Sequence, residues 1–311
     1  MRQFVSSAPP DKSGLFFVRG KDFKYLRQVL RLKTGDMLCV RSPDGKLFNT
    51  TICKTDEAKR TLTLQVCGTG DTSDTDGISN GRKANAERGV LAEAIQQEAS
   101  GIEYWLFQFV PQPSKMELIV RQADECGVSV IIPVAGEYSQ KAGLAALNES
   151  RRERLLRIIR QARQQSGSPV ESRITECLSL TDALSLWKEA CRKNSAEKRC
   201  AAFVLLERGK DCSALRSLKD GVAVQKIAIA VGSEGGISPS EAAALEEAGF
   251  IPVHFQGNIL RCETAALYGI ASVQAAVQTA VLQRKRRKNS LCRYSELRLR
   301  AFQSIFSMKK T

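Results

Sequence analysis

From residue 104 onward, short apolar runs alternate with longer stretches in which apolar residues recur every three or four positions. The short runs are rich in β-branched residues and too short for helices, so they predict buried strands. They cover Tyr104–Val110, Val128–Val134, Ala201–Leu206, Lys226–Val231 and Ile251–Phe255. The stretches between them predict helices near 114–127, 148–165, 181–193 and 238–249. Strands separated by helices in this way predict an α/β protein with a parallel sheet covered on both faces.

The first 70 residues have a different pattern, dominated by short strands. The predicted strands are Leu15–Arg19, Met37–Arg41, Leu47–Cys53 and Thr61–Cys67. The second and third flank Ser42-Pro-Asp-Gly45, a hairpin signal because Asp-Gly tolerates positive φ. A helix is also predicted over Lys21–Arg31, and its apolar face is formed by Phe23, Leu26, Val29 and Leu30. The segment predicts a small antiparallel sheet or barrel, which serves either oligonucleotide binding or dimerisation and packing.

The densest glycine and capping signals lie between positions 230 and 266. A predicted strand runs into the loop Gly232-Ser-Glu-Gly-Gly236, and Ser238-Pro-Ser-Glu241 then supplies an N-cap, an N1 proline and a capping-box glutamate. A second strand leads into the loop Gln256–Arg261 and a helix opening at Glu263. Each glycine taken singly is compatible with an ordinary turn. Because loops after adjacent parallel strands converge, the two loops together predict a ligand site.

The chain is basic, with 47 Lys and Arg residues against 33 Asp and Glu residues and a formal net charge of +14. Ten basic residues and one acidic residue follow from Arg284 to the end, so this tail carries +9 and leaves +5 for the rest. This excess favours a polyanionic partner, nucleic acid first, because neutralised phosphates release counterions. The predicted helix 148–165 also carries arginines largely off its apolar face, namely Arg151, Arg154, Arg157, Arg160 and Arg163. They are either phosphate contacts or a solvated surface.

Several features limit the classes of function. The ten cysteines are scattered, without a CxxC pair or a signal peptide at the start, and are predicted to be reduced and cytosolic. The single histidine, His254, lies within a predicted strand and is interpreted as structural, so no metal site is expected. No apolar run approaches the ~20 residues that cross a bilayer, so no membrane partner is expected. Residues 68–100 have too few apolar side chains to order themselves and predict a mobile linker or insertion.

Two motifs resemble those of a known family. Gly232-Ser-Glu-Gly-Gly-Ile-Ser-Pro-Ser-Glu241 and Gln256-Gly-Asn-Ile-Leu-Arg-Cys-Glu-Thr-Ala265 resemble the GPEGG-fs-xE and LGxRILRxETA motifs of the RsmE-type methyltransferases, in the SPOUT superfamily. Further similar segments follow the family's order, namely Met1-Arg-Gln-Phe4, Val29–Asp36, Asp44-Gly45, Lys115-Met-Glu117, Asp124–Val128, Ile132-Pro133 and Gln164-Gln-Ser166. The resemblance therefore spans most of the chain.

The resemblance implies methylation of N3 of a uridine in small-subunit ribosomal RNA, with S-adenosylmethionine as the donor, by a cytoplasmic homodimer. It implies a PUA-like RNA-binding β-barrel over residues 1–70 and a linker or insertion over 71–102. A SPOUT methyltransferase domain with a C-terminal trefoil knot is implied over 103–285, followed by a basic tail over 286–311. Such an enzyme takes part in ribosome biogenesis and needs no metal.

Three loops are implied to embrace the methyl donor, with backbone amides and carbonyls reading its adenine while the glycines make room. The implied cofactor-binding residues are Leu205, Leu206, Gly232, Ser233, Glu234, Gly235, Gly236, Phe255, Gly257, Asn258, Ile259 and Leu260. Arg261 is the predicted catalytic cation by motif position, stabilising the N3 anion of the uridine. Glu263, also assigned to the catalytic site, is predicted either to orient Arg261 or to favour a helix N-terminus.

The chain departs from the family's pattern at several positions. Ser233 replaces the usual proline, which is expected to loosen the glycine loop slightly. Tyr138 and Asn258 stand where many members have arginine, Asp124 stands for a threonine, and Ser168 lies near the place of another arginine. Several cations that would face the RNA are therefore missing, which makes the target nucleotide less well defined than the cofactor.

Three hypotheses from different classes follow. The first is an RNA methyltransferase of the SPOUT type, acting on this uridine or on a different nucleotide. The second is a non-catalytic protein that binds ribosomal RNA and has kept the fold, against which the intact glycine loops and Arg261 count. The third is an unrelated nucleotide-utilising α/β enzyme, although neither a GxGxxG fingerprint nor a P-loop is present in the glycine loops.

Overall fold

A computed structural model of the chain describes residues 3–69, 101–192, 199–207, 215, 224–255 and 257–283. By internal contacts the described residues form two compact units. The first comprises 3–69, 113–131 and 145–176, and the second comprises 101–112, 132–144 and the described residues from 177 onward. The four-segment division of the sequence stays a prediction. The basic tail and most of the predicted linker lie outside the described residues.

A five-stranded sheet forms the start of the first unit. Its strands are β1 (Gln3–Val5), β2 (Leu15–Arg19), β3 (Met37–Arg41), β4 (Leu47–Asp56) and β5 (Thr61–Thr69), in the order β1-β3-β4-β5-β2. All four predicted strands are confirmed, as is the hairpin, in which Gly45 has φ +86 and donates to the carbonyl of Ser42 at 3.0 Å. The prediction of a wholly antiparallel sheet is wrong at one edge, because β1 pairs parallel with β3.

The predicted helix after β2 is interrupted. An α-helical turn, α1 (Gly20–Lys24), passes into a π-helical turn over Tyr25–Val29, where the amide of Leu30 donates to the carbonyl of Tyr25. Phe23 and Leu26 are buried as predicted, but Val29 is 66% exposed. A π turn holds more residues than an α turn, so the residue three positions after Leu26 no longer returns to the apolar face.

Two long helices complete most of the first unit: α2 (Pro113–Glu125) and α4 (Glu149–Ser166), separated in the chain by β7 (Val130–Ala135) and a short helix, α3 (Lys141–Ala146). Asn148 caps α4 by accepting from the amide of Arg151 at 3.0 Å, and Gly167 ends it with φ +76. The predicted apolar face is confirmed, with Leu155, Ile159 and Ala162 buried and Ile158 partly buried.

Arg163 corrects the interpretation of the arginine helix. Its side chain is 3% exposed and pairs with Glu171 at 2.9 Å. Its carbonyl accepts from the side-chain amide of Gln3 at 2.9 Å. The last arginine of the series is therefore packed inside the first unit, where it is not available to a phosphate. Arg157, in contrast, is exposed.

Asp124 is fully buried on α2. Burial raises the pKa of its carboxyl group from 3.8 to about 6, although the Ser172 hydroxyl and the charge of Arg163 oppose the shift. Because the folded-state pKa is the higher one, this group contributes stability below pH 3.8 that is lost as the pH rises through about 6. Ionised Asp124 therefore destabilises the fold at neutral pH.

Replacing Asp124 by asparagine is expected to raise the free energy of unfolding at pH 7.5 by about 3 kcal/mol, at 1.36 kcal/mol per pKa unit. The difference from wild type is expected to open between pH 4 and pH 7, as followed by urea unfolding. Glu153→Gln, which alters an exposed carboxylate on α4, is the matched control for the loss of one carboxyl group. A stability difference for Asp124→Asn that is independent of pH contradicts this account.

The parallel sheet predicted from the sequence is confirmed. Besides β7, its strands are β6 (Glu103–Phe109), β8 (Arg173–Ile174), β9 (Leu178–Ser179), β10 (Arg199–Leu205), β11 (Val224–Val231) and β12 (Ile251–Val253). They follow the order β12-β10-β11-β6-β7-β8, with β9 pairing with β7. The helices that follow in the chain are α5 (Leu180–Arg192), α6 (Pro239–Glu247) and α7 (Cys262–Gln283). The α/β class is thereby established.

Helix α7 bears on the expectation that no segment is apolar enough to cross a membrane. The helix has 22 residues, and by length and composition it passes that test. Its alanine, valine and isoleucine residues raise the mean hydropathy, although glutamine and threonine interrupt the apolar run. Such a helix is weak evidence for a membrane span, since core helices of soluble proteins also pass the test. Only about a quarter of its most apolar stretch, 28%, is buried within the chain.

The described part of the chain contains eight cysteines and further side chains of the types that bind metals. None of the eight cysteines there forms a disulfide, and Cys212 and Cys292 lie outside it. Within the same residues, no group of three or more His, Cys, Asp or Glu side chains has an arrangement that holds a metal ion.

Candidate functional site

The ends of three adjacent strands define the candidate site. Strand β10 lies between β11 and β12, with Val204 opposite Ala230 and Leu205 opposite Val253. All three strands run parallel, so the chain leaves them at the same edge of the sheet. The structure therefore brings together the starts of the three loops in which the cofactor-binding residues were predicted. Loops in this position are the usual ligand site of a parallel sheet.

The second of these loops, Gly232–Gly236, is a tightly closed turn. Ser233 and Gly236 form an isolated β-bridge, and the amide of Gly236 donates to the carbonyl of Ser233 at 3.0 Å. A Cβ atom on Gly232 would lie 2.6 Å from the carbonyl carbon of Gly236. Gly236 has φ +79, a left-handed conformation that favours glycine. Gly232 is thus required because the backbone approaches it closely, and Gly236 is required because of its positive φ.

A buried glutamine fixes the start of this turn. The side-chain amide of Gln108, on β6, donates to the carbonyl of Gly232 at 3.1 Å and to that of Phe109 at 2.9 Å. Sequence reasoning missed this residue, although a glutamine inside the apolar run Tyr104–Val110 was a usable signal. A buried polar side chain in a strand needs hydrogen-bond partners, and the turn supplies one.

Residues after β6 and β7 hold the other flank of the glycine loop. The carboxylate of Glu234 accepts from the amide of Gln112 at 3.0 Å, and the Ser233 hydroxyl donates to the carbonyl of Tyr138 at 2.9 Å. Ser233 was expected to loosen the loop in place of proline. In the structure its hydroxyl ties the loop to the segment that carries Tyr138, a contact that proline could not make.

Helix α6 begins with the predicted capping box. The Ser238 hydroxyl accepts from the amide of Glu241 at 3.2 Å, and the Glu241 carboxylate accepts from the amide of Ser238 at 2.9 Å. The other oxygen of Glu241 accepts from the amide of Glu137 at 2.7 Å. Glu137 is bound a second time, since its carboxylate accepts from the Ser240 hydroxyl at 2.6 Å. The helix start therefore also anchors the loop after β7.

The first and third loops are joined near β12. The amide of Leu206 donates to the carbonyl of Val253 at 3.0 Å, and Nδ1 of His254 lies 3.2 Å from the carbonyl oxygen of Leu206. The Phe255 ring packs edge-on against Tyr268 of α7, with ring centroids 4.7 Å apart. The contact of His254 with a backbone carbonyl agrees with its interpretation as a structural residue.

The rest of the third loop is open to solvent. Gly257 has φ +129, and Gly257, Asn258 and Ile259 are exposed, Ile259 to 68%. Leu260 is partly buried, as are Leu205 and Leu206. Among the predicted cofactor residues, Gly232 and Ser233 are therefore buried, whereas the exposed ones are Gly235 on the second loop and Gly257 to Ile259 on the third.

Arg261 and Glu263 lie at the start of α7. Arg261 is exposed, and its carbonyl accepts from the amide of Ala265 at 2.7 Å, so its backbone already belongs to the helix entry. Glu263 lies in the first turn and accepts from the Cys262 thiol at 3.3 Å. In the described chain no ion pair joins Arg261 to Glu263, and both predicted roles of Glu263 stay predictions.

The fold and the site together define an α/β protein whose ligand site is built from glycine-rich loops at the ends of parallel strands. The family described as the RNA methyltransferase domain matches residues 98–274, more than half of the chain. The chain therefore belongs to the RNA methyltransferase family.

Individual relatives point to one branch of this family. The ribosomal RNA small subunit methyltransferase E of Aquifex aeolicus is 28% identical over 178 residues, covering 57% of this chain and 70% of the relative. That of Bacillus subtilis is 22% identical over 288 residues, covering 91% and 95%. The crystal structure of the corresponding Neisseria gonorrhoeae enzyme, bound to S-adenosyl methionine, has a TM-score of 0.63 at 21% identity and covers 88% of this chain and 97% of that one. The resemblance to RsmE-type methyltransferases is confirmed.

Proposed function

We propose that this protein transfers a methyl group from S-adenosylmethionine to N3 of a uridine in small-subunit ribosomal RNA. The carrying observation is the closed glycine turn at the ends of three parallel strands, whose sequence resembles the glycine motif of the RsmE-type enzymes. The names of the relatives and the donor bound to the Neisseria enzyme support the same reaction.

The residues at the strand ends suit the donor. Gly232 leaves no room for a side chain where the turn closes, so main-chain amides and carbonyls line the ligand's approach. Leu205 and Leu206 would supply apolar surface on the neighbouring loop, and Phe255 and Gly257 to Leu260 would form the third side. When bound, S-adenosylmethionine supplies an electrophilic methyl group. The Gly232–Gly236 turn would hold the donor rigidly, because the turn is itself fixed by hydrogen bonds to Gln108 and Tyr138.

The acceptor side of the reaction is assigned to Arg261. N3 of uridine carries a proton, and its nucleophilic form is an anion that a nearby cation stabilises. The Arg261 side chain is exposed and makes no hydrogen bond or ion pair with a described residue, so its guanidinium is available to a substrate. Positioning the base in line with the methyl group would supply much of the remaining rate acceleration. Glu263 would support the helix start that presents this arginine.

Three further features are proposed on the same grounds. The five-stranded sheet is proposed to be a PUA-like barrel that contacts RNA, and the C-terminal part of the methyltransferase domain is proposed to form a trefoil knot. A cytoplasmic homodimer is proposed because α7 is apolar yet mostly uncovered within one chain. A second copy of the chain would cover the exposed apolar surface of α7. Without a second copy, a membrane would have to cover it. Sedimentation equilibrium is expected to give twice the 34.2 kDa mass of the chain.

Titration calorimetry tests the cofactor assignment directly. Saturable heat is expected with S-adenosylmethionine, and also with S-adenosylhomocysteine, which lacks the transferred methyl group. ATP is the matched control, because it shares the adenosine moiety but carries phosphates in place of the amino-acid tail. Saturation by ATP alone would contradict the proposal.

A specific observation keeps two alternatives in view. Tyr138 and Asn258 stand where relatives of this type have cations, so the RNA contacts differ from the family pattern. A protein that binds ribosomal RNA without catalysis would bind small ribosomal subunits but transfer no methyl group. A methyltransferase with another target would transfer label from radioactive donor to ribosomal RNA but yield a nucleoside other than N3-methyluridine. Mass spectrometry of digested product RNA separates both from the proposal.

A further inference from the structure

Tyr138 is an exposed aromatic residue on a rigid support. Its side chain lies on the loop after β7, and the residue is 46% exposed. The Ser233 hydroxyl binds its carbonyl at 2.9 Å, and the neighbouring amide of Glu137 is held by Glu241 at 2.7 Å. The loop after β7 is itself a closed turn, because the amide of Ser139 donates to the carbonyl of Gly136 at 3.0 Å.

Two glycines permit this arrangement. A Cβ atom on Gly136 would lie 2.3 Å from the Phe109 ring, and one on Gly235 would lie 2.8 Å from Cβ of Tyr138. The loop after β7 and the glycine turn therefore touch backbone to side chain, with no intervening group. One edge of the Tyr138 ring lies over Gly235, while almost half of the residue remains accessible. A side chain held this way is ordered before it meets a ligand, so little conformational entropy is lost on contact.

The strand order shows on which flank of the glycine turn Tyr138 lies. The loops assigned to the methyl donor follow β12, β10 and β11, whereas Tyr138 follows β7, which lies beyond β6 on the other side of β11. Tyr138 thus meets the Gly232–Gly236 turn from the flank opposite to the other two donor loops. An adenine held between those loops is on the far side of the turn. A base of the acceptor RNA is the ligand that this flank would meet.

We propose that Tyr138 is a stacking platform for a base of the RNA substrate. The proposal rests on the proposed function, and it assigns to this residue an aromatic contact that positions the acceptor. Unstacked RNA bases are commonly held on aromatic rings. Such a contact would also compensate in affinity for the cations that this chain lacks.

The test compares Tyr138→Ala, Tyr138→Leu and Tyr138→Phe, with small ribosomal subunits from a bacterial strain that lacks N3-methyluridine methyltransferase. Loss of one base–aromatic stack is expected to raise Kd and KM for the subunits about 5- to 150-fold in the alanine and leucine variants. Filter binding gives Kd, and label transfer gives KM and kcat. Tyr138→Phe keeps the ring and is expected to stay within about twofold of wild type. The donor affinity, by calorimetry, is expected to be unchanged in all three.

The outcomes are distinguishable. Wild-type protein that transfers no label would overturn the proposed function together with this inference. Active wild type with an alanine variant of unchanged Kd and KM would overturn the stacking role alone. A weakened donor affinity in Tyr138→Ala would show that the ring supports the glycine turn and would also overturn it. Leu156→Ala, at a residue 44% exposed on α4, controls for the loss of any exposed apolar side chain.

Discussion

Replacing Arg261 by alanine is expected to lower kcat for methyl transfer by about 100- to 1,000-fold, the range found when one stabilising donor of a developing anion is removed. The reason is its position at the entry to α7, where the side chain is exposed and forms no hydrogen bond or ion pair with a described residue. The affinity for S-adenosylmethionine is expected to change little, because the donor is assigned to main-chain groups of the adjacent loops. Single-turnover label transfer gives the rate, and calorimetry gives the affinity.

The thermal midpoint of Arg261→Ala is expected to match that of wild type, since the side chain is exposed and makes no hydrogen bond or ion pair with a described residue. Arg121→Ala, which removes an exposed arginine from α2, is the matched control for a change of one positive charge. It is expected to leave kcat unchanged. Near wild-type turnover by Arg261→Ala would remove this residue from the mechanism, while the fold and the cofactor assignment would stand.

Replacing Gly232 by alanine is expected to abolish saturable binding of the donor and to lower kcat/KM at least about 100-fold. The added Cβ would lie 2.6 Å from the carbonyl carbon of Gly236, so the turn must open. A displacement of about 1 Å in a catalytic arrangement lowers the reaction rate on the order of 100-fold. Overpacking should also lower the free energy of unfolding by about 1–3 kcal/mol. Calorimetry and urea unfolding measure the two effects.

Gly249→Ala separates stability from binding. Gly249, at the end of α6, has φ +90, but an added Cβ would have no atom within 4 Å. The variant is expected to lose about 1–2 kcal/mol of stability through backbone strain while its donor affinity stays unchanged. If Gly232→Ala binds the donor as tightly as Gly249→Ala does, the glycine turn is not the donor site.

The elements with strong local signals were predictable from the sequence. The capping box is formed by Ser238 and Glu241, which are only three positions apart in the sequence. The hairpin at Asp44-Gly45 depends on a single turn. The parallel sheet followed from the alternation of apolar runs and amphipathic stretches, because each signal is carried within one segment. The family's motifs then added what spacing alone does not contain, namely the reaction and the donor.

The parts that were wrong or missed depend on contacts between distant segments. The burial of Arg163 follows from Glu171 and from Gln3, which lies 160 positions away in the chain. The serine in the glycine turn gains its anchoring role only when the loop after β7 arrives beside it. The π turn before Val29 is a local feature, but apolar spacing does not distinguish it from an α turn.

We propose methylation at N3 of a ribosomal uridine. This modification blocks the pairing edge of the base and stops reverse transcriptase. Primer extension on small-subunit ribosomal RNA, from wild-type cells and from a strain with the gene deleted, tests it most directly. One stop at a uridine is expected to disappear in the deletion strain and to return with the wild-type gene but not with Arg261→Ala. An identical pattern of stops in wild-type and deletion strains would contradict the account.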